Sequence, residues 1–235
     1  MNICVIPARG GSKRIPRKNI RNFLGKPMIA WSIEAAIKSQ CFDKVICSTD
    51  DKEIAEVAKK YGAEVPFLRP DTLSNDYTTI TPVIRHAIEF LKKKGNTVDL
   101  VCCIYATAPF ILIEDIKKSL ERIKYEQADY CFSVTKYKFP IQRSIRITQE
   151  KRCKMFQPEM FEKRSQDLEE AYHDAAQFYW GKANSWIENR KIFSENSIPY
   201  ILPSHKVQDI DTEEDWIRAE LMCTALLLDN SQENC

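Results

Sequence analysis

The 235-residue sequence has no apolar run near the roughly 18 residues a membrane-spanning helix needs. Its first residues, Met1 to Ala8, are interrupted at once by Arg9 and lack the core of a secretory signal. These two absences predict a cytoplasmic protein with no membrane partner. Net charge is scarce as well. The 35 Lys and Arg residues face 33 Asp and Glu, a formal +2, which supplies no global attraction to nucleic acid. Glycines number only six. They form neither the G-x-x-x-x-G-K-[ST] phosphate loop nor the G-x-G-x-x-G dinucleotide fingerprint. The nine cysteines are an odd number, and their spacings fit no zinc or redox pattern. Cys4, Cys47, Cys102, Cys103 and Cys131 fall in strand-like apolar runs, where a reduced thiol acts as a small hydrophobe.

What is present is a regular alternation. Asn2–Pro7, Lys44–Ser48, Glu64–Leu68 and Val98–Tyr105 read as strands. Between and after them, Lys26–Lys38, a segment opened by Asp50 with Glu53 as its N-terminal cap pair, Thr78–Lys93 and Glu114–Tyr125 read as helices. Such alternation predicts an α/β fold, a Rossmann-like, mostly parallel sheet flanked by helices, in a single domain spanning 1–235. From Tyr130 the rhythm changes. Tyr130–Thr135 and Ser144–Thr148 follow one another as strands, and Lys151–Asp174 is polar. Phe178–Trp180, Tyr200–Leu202 and a helix from about Glu213 then restore the pattern. Residues 135–173 are therefore expected to form an inserted segment.

Two clusters carry chemistry. Gly10-Gly11 follows the first strand directly, seven basic residues lie between Arg9 and Lys26, and the first acid is Glu34. Glycines let a backbone approach a ligand and present successive N–H groups, and Arg9, Lys13, Arg14, Arg17 and Lys18 supply charge for a polyphosphate. Open α/β sheets bind ligands at this strand end; the competing reading is a solvated basic turn. The second cluster is Asp209-Ile210-Asp211. Residues i and i+2 of an extended segment share a face, so the pair suits a hard divalent ion such as Mg2+, which needs only one or two carboxylates. Equally, Asp211 or Thr212 suits a helix cap. Among the histidines, His86 is read as a solvated surface residue and His205 as a loop residue, while His173-Asp174 is weighed as a base with its orienting partner.

The run Ile6-Pro7-Ala8-Arg9-Gly10-Gly11-Ser12-Lys13-Arg14-Ile15-Pro16-Arg17-Lys18-Asn19 resembles the nucleotide loop of the acylneuraminate cytidylyltransferases. The likeness continues through Ser48-Thr49-Asp50, Leu68-Arg69-Pro70, Ala106-Thr107-Ala108-Pro109 and Asp209-Ile210-Asp211-Thr212. It implies the nucleotide-diphospho-sugar transferase type of sheet, with CTP and a nonulosonic acid as partners. By the same resemblance the CTP phosphates are held by Arg9 and Lys13, with the backbone of Ala8, Gly10, Gly11 and Ser12. Asn19, Arg69, Asp76, Thr78 and Thr107 surround the nucleotide, Asp209 and Asp211 bind Mg2+, and Arg9, Lys13 and the two aspartates make up the catalytic set. Segment 135–173 resembles a dimerisation segment and implies a homodimer.

Within that family, Phe139-Pro140-Ile141-Gln142-Arg143 and Arg164-Ser165-Gln166-Asp167, with the run from His173 to Trp180, are similar to the pseudaminic acid branch. Tyr105 and Ile111 replace the glutamine and arginine of the sialic acid enzymes' turn. Sugar contacts are then expected from Tyr105, Gln142, Arg143, Arg164, Gln177 and Tyr179; for Arg143 and Arg164 a plain surface position is the competing reading. Activation of N-acetylneuraminic, legionaminic or 3-deoxy-manno-octulosonic acid is the nearest alternative. A non-enzymatic RNA- or partner-binding protein would use the basic loop but leaves the D-x-D unexplained.

Overall fold

The computed structural model describes residues 1–232, with side chains as far as residue 226. In chain order the elements are β1 (Asn2–Pro7), a short ladder of β2 (Asn22–Phe23) with β3 (Lys26–Pro27), α1 (Met28–Ser39), β4 (Lys44–Ser48) and α2 (Lys52–Lys60). Then come α3 (Ile80–Lys93), β5 (Leu100–Ile104), α4 (Ile113–Glu126), β6 (Tyr130–Lys136), β7 (Ile145–Ile147) and β8 (Cys153–Met155). The chain finishes with β9 (Tyr172–Lys182), α5 (Ala183–Ile187), β10 (Ser197–Ile201) and α6 (Glu213–Gln232).

Six strands make the central sheet in the order β10-β6-β9-β5-β1-β4. β1 pairs in parallel with β4 and β5, and β6 pairs in parallel with β10. Within this sheet only β9 is antiparallel, running between β5 and β6. The strands read as near-continuous apolar runs because both faces are covered. On one face Ile29, Ile33, Ile54, Ile116 and Ile123 of α1, α2 and α4 pack on Cys4, Cys47, Cys102, Cys131 and Trp180. On the other, Ile84, Ile88 and Leu91 of α3 and Trp186 of α5 pack on Ile3, Val101, Cys103 and Tyr130. Each fully buried aliphatic side chain contributes roughly 1.5–3 kcal/mol. The strand cysteines are core thiols: all eight cysteines among the described residues are free, and burial pushes Cys47 and Cys131 up to about 12.

Three sequence expectations are corrected. Glu64–Leu68 is not a strand, because it touches β4 through a single bridge, Ile46 to Glu64. Pro66 has no N–H with which to continue that ladder. The strand expected at 144–148 exists as β7 but pairs with β8 in a separate exposed hairpin, not in the main sheet. The cap of α2 is Asp51, whose side chain accepts from the Glu53 and Ile54 amides; Asp50 is freed for a different partner.

A third apolar cluster matters most for function. Ile15 of the basic loop, Phe23, Phe110, Ile210 of the D-x-D and Trp216 of α6 are buried together. This cluster clamps the start of the chain against its last segment, so residues nearly two hundred positions apart meet at one end of the sheet.

Candidate active site

The basic loop leaves β1 with the Ala8 amide donating to the Ser48 carbonyl at 2.9 Å. Gly10 donates its N–H to Asp50 Oδ1 at 3.0 Å. A Cβ at Gly10 would lie 2.7 Å from Asp51 Oδ2, so no side chain fits there. A Cβ at Gly11 meets nothing, and that glycine is not required by close packing. Arg17 turns the loop in the left-handed region at φ 56°. Its guanidinium grips Asp51 at 2.5 and 3.1 Å.

That grip holds the Asp51 carboxyl down at about 2 against the opposing effect of burial, with the Ile54 and Glu53 amides helping. A depressed carboxylate contributes stability that is present above its unfolded pKa of about 4 and is lost as pH falls through the folded value. For Asp51 that loss is centred near about 2. Arg17→Ala is expected to return the Asp51 titration, followed by carboxyl carbon-13 NMR, toward the ordinary carboxylate range. An unmoved titration would show that the helix amides alone hold it.

Next to the loop lies a cavity of about 530 Å³. Arg9, Ser12, Lys13, Asn19, Arg69, Asp76, Thr78, Tyr105, Thr107 and Asp211, all singled out from the sequence, line it. Arg14, Lys18, Thr79, Ile80 and Val83 line it too. Arg9 and Lys13 both reach Asp76, each at 2.5 Å. Asn19 braces the loop by donating its side-chain amide to the Arg9 carbonyl at 3.0 Å. Arg69 is 6% exposed, yet its Nε and one terminal nitrogen have no hydrogen-bond partner, and Asp50 stands 3.6 Å away. Burial lowers its pKa, opposed by Asp50. A buried guanidinium with unused donors on a cavity wall suits a ligand oxygen.

The D-x-D closes the other side. Thr212 and Asp215 form a reciprocal capping box: Thr212 Oγ1 accepts from the Asp215 amide at 3.2 Å, and Asp215 Oδ2 accepts from the Thr212 amide at 2.9 Å. Capping α6 therefore does not need Asp211. Its carboxylate faces the loop instead, 2.8 Å from Arg14 and 3.3 Å from Lys18, and Lys18 also donates to the Ile210 carbonyl at 2.6 Å. Asp209 has its pKa raised by burial and then by Asp211. Such a carboxylate pair, beside a cavity with cations for phosphate, fits a hard divalent ion completed by phosphate and water oxygens. Among the described residues no group of three or more His, Cys, Asp or Glu side chains forms a metal cage.

The expected sugar contacts are divided by the fold. Tyr105 alone lines the main cavity. Gln177 and Tyr179 are buried behind it; Gln177 donates to the Lys206 carbonyl at 2.6 Å, and Tyr179 donates to Asp174. Burial drives both the Tyr105 and Tyr179 hydroxyls far above their usual pKa. Gln142 and Arg143 belong to the excursion between β6 and β9: Gln142 donates to the Glu169 carbonyl at 2.9 Å and Arg143 to Ser165 at 3.1 Å. Arg143 lines a second groove with Tyr137, Phe139 and His173. Arg164 points away and pairs with Asp167 at 2.8 Å. His173 and Asp174 do not act as a pair, because the imidazole meets a backbone carbonyl while the carboxylate turns to Tyr179. His86 is half-buried edge-on against Phe67, not solvated.

Comparison with known proteins agrees with this geometry. Residues 3–214 match the cytidylyltransferase family model. The chain is 47% identical over 221 residues to a pseudaminic acid cytidylyltransferase of Campylobacter jejuni, covering 94% of this chain and 95% of that protein. It is 35% identical to a CMP-N,N'-diacetyllegionaminic acid synthase of Legionella pneumophila, covering 93% and 94%. A solved CMP:2-keto-3-deoxy-manno-octonic acid synthetase complexed with CTP shares the fold, with a TM-score of 0.69 at 15% identity over 95% of this chain and 98% of that one. The matched span takes in both the basic loop and Asp211 of the D-x-D, which the fold brings onto one cavity, and the chain belongs to the cytidylyltransferase family.

Proposed function

We propose that the protein transfers CMP from CTP to pseudaminic acid and releases pyrophosphate. The observation that carries the reaction class is the convergence of Arg9, Lys13, the buried Arg69 with two nitrogens free of hydrogen bonds, and Asp211 on one cavity. The acceptor rests on the 47% identity to a pseudaminic acid enzyme over nearly the whole chain, against 35% to the legionaminic acid one.

In this reading the anomeric hydroxyl of the sugar acid attacks the α-phosphorus in line. A new O–P bond forms, the bond to the bridging oxygen of the β-phosphate breaks, and the hydroxyl proton leaves to solvent. Arg9 and Lys13 exchange Asp76 for the phosphates and neutralise the charge that builds on pyrophosphate. Arg69 offers its free donors to the nucleotide. Asp209 and Asp211 would hold Mg2+, which would supply further charge neutralisation at the phosphates. Catalysis of this kind is mostly positioning, and no covalent nucleophile is needed. We read the excursion, with Phe139, Ile147, Phe156 and Phe161 exposed, as the contact of a homodimer. The place of action is the cytoplasm, where CTP is available; among the described residues no helix is long and apolar enough to cross a membrane.

The test is pyrophosphate release from CTP with pseudaminic, legionaminic, N-acetylneuraminic and 3-deoxy-manno-octulosonic acids. Pseudaminic acid is expected to give the highest kcat/KM, and chelation of divalent ions is expected to abolish turnover. Preference for another acid would replace the acceptor, and silence with all four would sink the reaction.

A further inference from the structure

Asp50 does not line the main cavity, yet it meets both the basic loop and Arg69, which do. It lies in the turn between β4 and α2, and that helix is capped by Asp51 instead. One oxygen, Oδ1, accepts the Gly10 N–H at 3.0 Å and stands 3.6 Å from Arg69 Nη2. The backbones around it are tied as well. Ala8 donates to the Ser48 carbonyl at 2.9 Å, and Arg69 donates to the Thr49 carbonyl at 2.7 Å. Three stretches far apart in sequence thus meet at one carboxylate.

A backbone amide has a single proton. Gly10 spends its proton on Asp50, so this amide anchors the loop from behind. The cavity-facing groups sit on either side of that anchor: Arg9 precedes it, and the Ser12 amide folds back onto the Gly10 carbonyl at 3.0 Å. Arg69 has a different need. A guanidinium buried to this depth, with its side chain 4% exposed, is costly without a countercharge. A bidentate carboxylate would supply the charge but consume the donors. At 3.6 Å Asp50 gives the charge from outside hydrogen-bond range, and Arg69 Nε and Nη2 stay unspent.

We propose that Asp50 is a positioning residue for CTP. It pins the basic loop through Gly10 and keeps Arg69 buried at the cavity wall with donors free for a nucleotide oxygen. The inference rests on the CTP-dependent reaction proposed above. Asp50 itself touches no ligand and acts through the two groups it holds.

Calorimetric titration of the full chain with CTP tests this by sign and needs no sugar acid. Were Asp50 only a negative charge near a polyphosphate, removing that charge would tighten CTP binding. As a positioning residue, Asp50→Asn should instead weaken it about fivefold, because asparagine keeps an acceptor for Gly10 and loses the countercharge of Arg69. Asp50→Ala loses both and should weaken it about twentyfold. In an Arg69→Met background, Asp50→Asn should change the affinity by less than about twofold, since its effect runs through Arg69. Tighter or unchanged binding in Asp50→Asn, or the same loss without Arg69, would overturn the proposal. Nitrogen-15 NMR of the ligand-free protein reads the two contacts directly. The Arg69 Nε resonance should shift in Asp50→Asn, and the Gly10 amide should move further in Asp50→Ala than in Asp50→Asn. Should the alanine variant not fold, the asparagine variant and the Arg69→Met background still decide. If the parent binds no CTP, the reaction proposed above fails, and unmoved Arg69 and Gly10 resonances remain the result that removes Asp50 as their holder.

Discussion

Asp211→Asn is expected to lower pyrophosphate release by about a thousandfold, the loss seen when charge stabilisation at a reacting centre is removed. The melting temperature should stay within about 2 °C of the parent. The two halves of the expectation come from different parts of the structure. Helix α6 is capped by Thr212 and Asp215, so the substitution leaves the cap intact. Ile210, buried in the cluster with Ile15 and Trp216, keeps the segment docked. What is lost is a carboxylate that stands 2.8 Å from Arg14 and beside Asp209 at the cavity. Asparagine retains the shape and loses the charge that a divalent cation requires. Calorimetric titration with Mg2+ in the presence of CTP should show weakened binding in the variant. An active variant with undiminished metal binding would remove Asp211 from the catalytic set and leave it a loop-holding ion-pair partner.

The second large effect is on stability. Asp129→Ala should cost about 2–3 kcal/mol, because it removes a buried carboxylate that accepts three side-chain hydrogen bonds and leaves the buried Ser185 hydroxyl without its acceptor, while Arg190 and Asn196 are exposed enough to turn to water. Asp129 is 7% exposed and lies just before β6. Oδ1 accepts from Ser185 at 3.0 Å and Arg190 at 2.7 Å, and Oδ2 accepts from Asn196 at 2.8 Å. It thereby ties the start of β6 to α5 and to the loop that leads into β10. A drop of roughly 4–10 °C in melting temperature is expected for a chain of this size. Burial pushes the Asp129 carboxyl up, but the bonds from Asn196, Ser185 and Arg190 outweigh it and hold the group below the usual range. The sign follows: its contribution is full above an unfolded pKa of about 4 and is lost as pH falls through the depressed folded value. Parent and variant should thus converge in stability at low pH. Denaturant melts between neutral and acidic pH would show it, and a constant difference across that range would refute the linkage.

Much of the site was legible before any coordinates. Gly10, Arg9, Lys13 and Asp211 announce themselves by residue type and position, since a polyphosphate needs clustered cations, close backbone and a hard-ion ligand, whereas Arg69 is reached only through the family resemblance. The failures have physical causes. Glu64–Leu68 is apolar enough for a strand, yet whether it pairs depends on a proline that cannot donate. Ser144–Thr148 has strand composition, and composition does not say which partner a strand will take. Gln177 and Tyr179 have the chemistry of sugar ligands, but a bulge in β9 and the side-chain direction it imposes turn them inward.

The local sequence by itself determined the alternation of buried strands and amphipathic helices, the glycine pair directly after the first strand and the acid-free basic loop, because these depend on neighbours a few residues apart. The tertiary structure alone decided that the basic loop and Asp211 share one cavity, that Arg69 is left with unused donors there, and that the Tyr105 ring packs on Tyr179, whose hydroxyl Asp174 holds. Those relations depend on sheet order, on the cluster of Ile15, Ile210 and Trp216, and on a strand irregularity. Each is set by packing between distant segments, which no local spacing encodes.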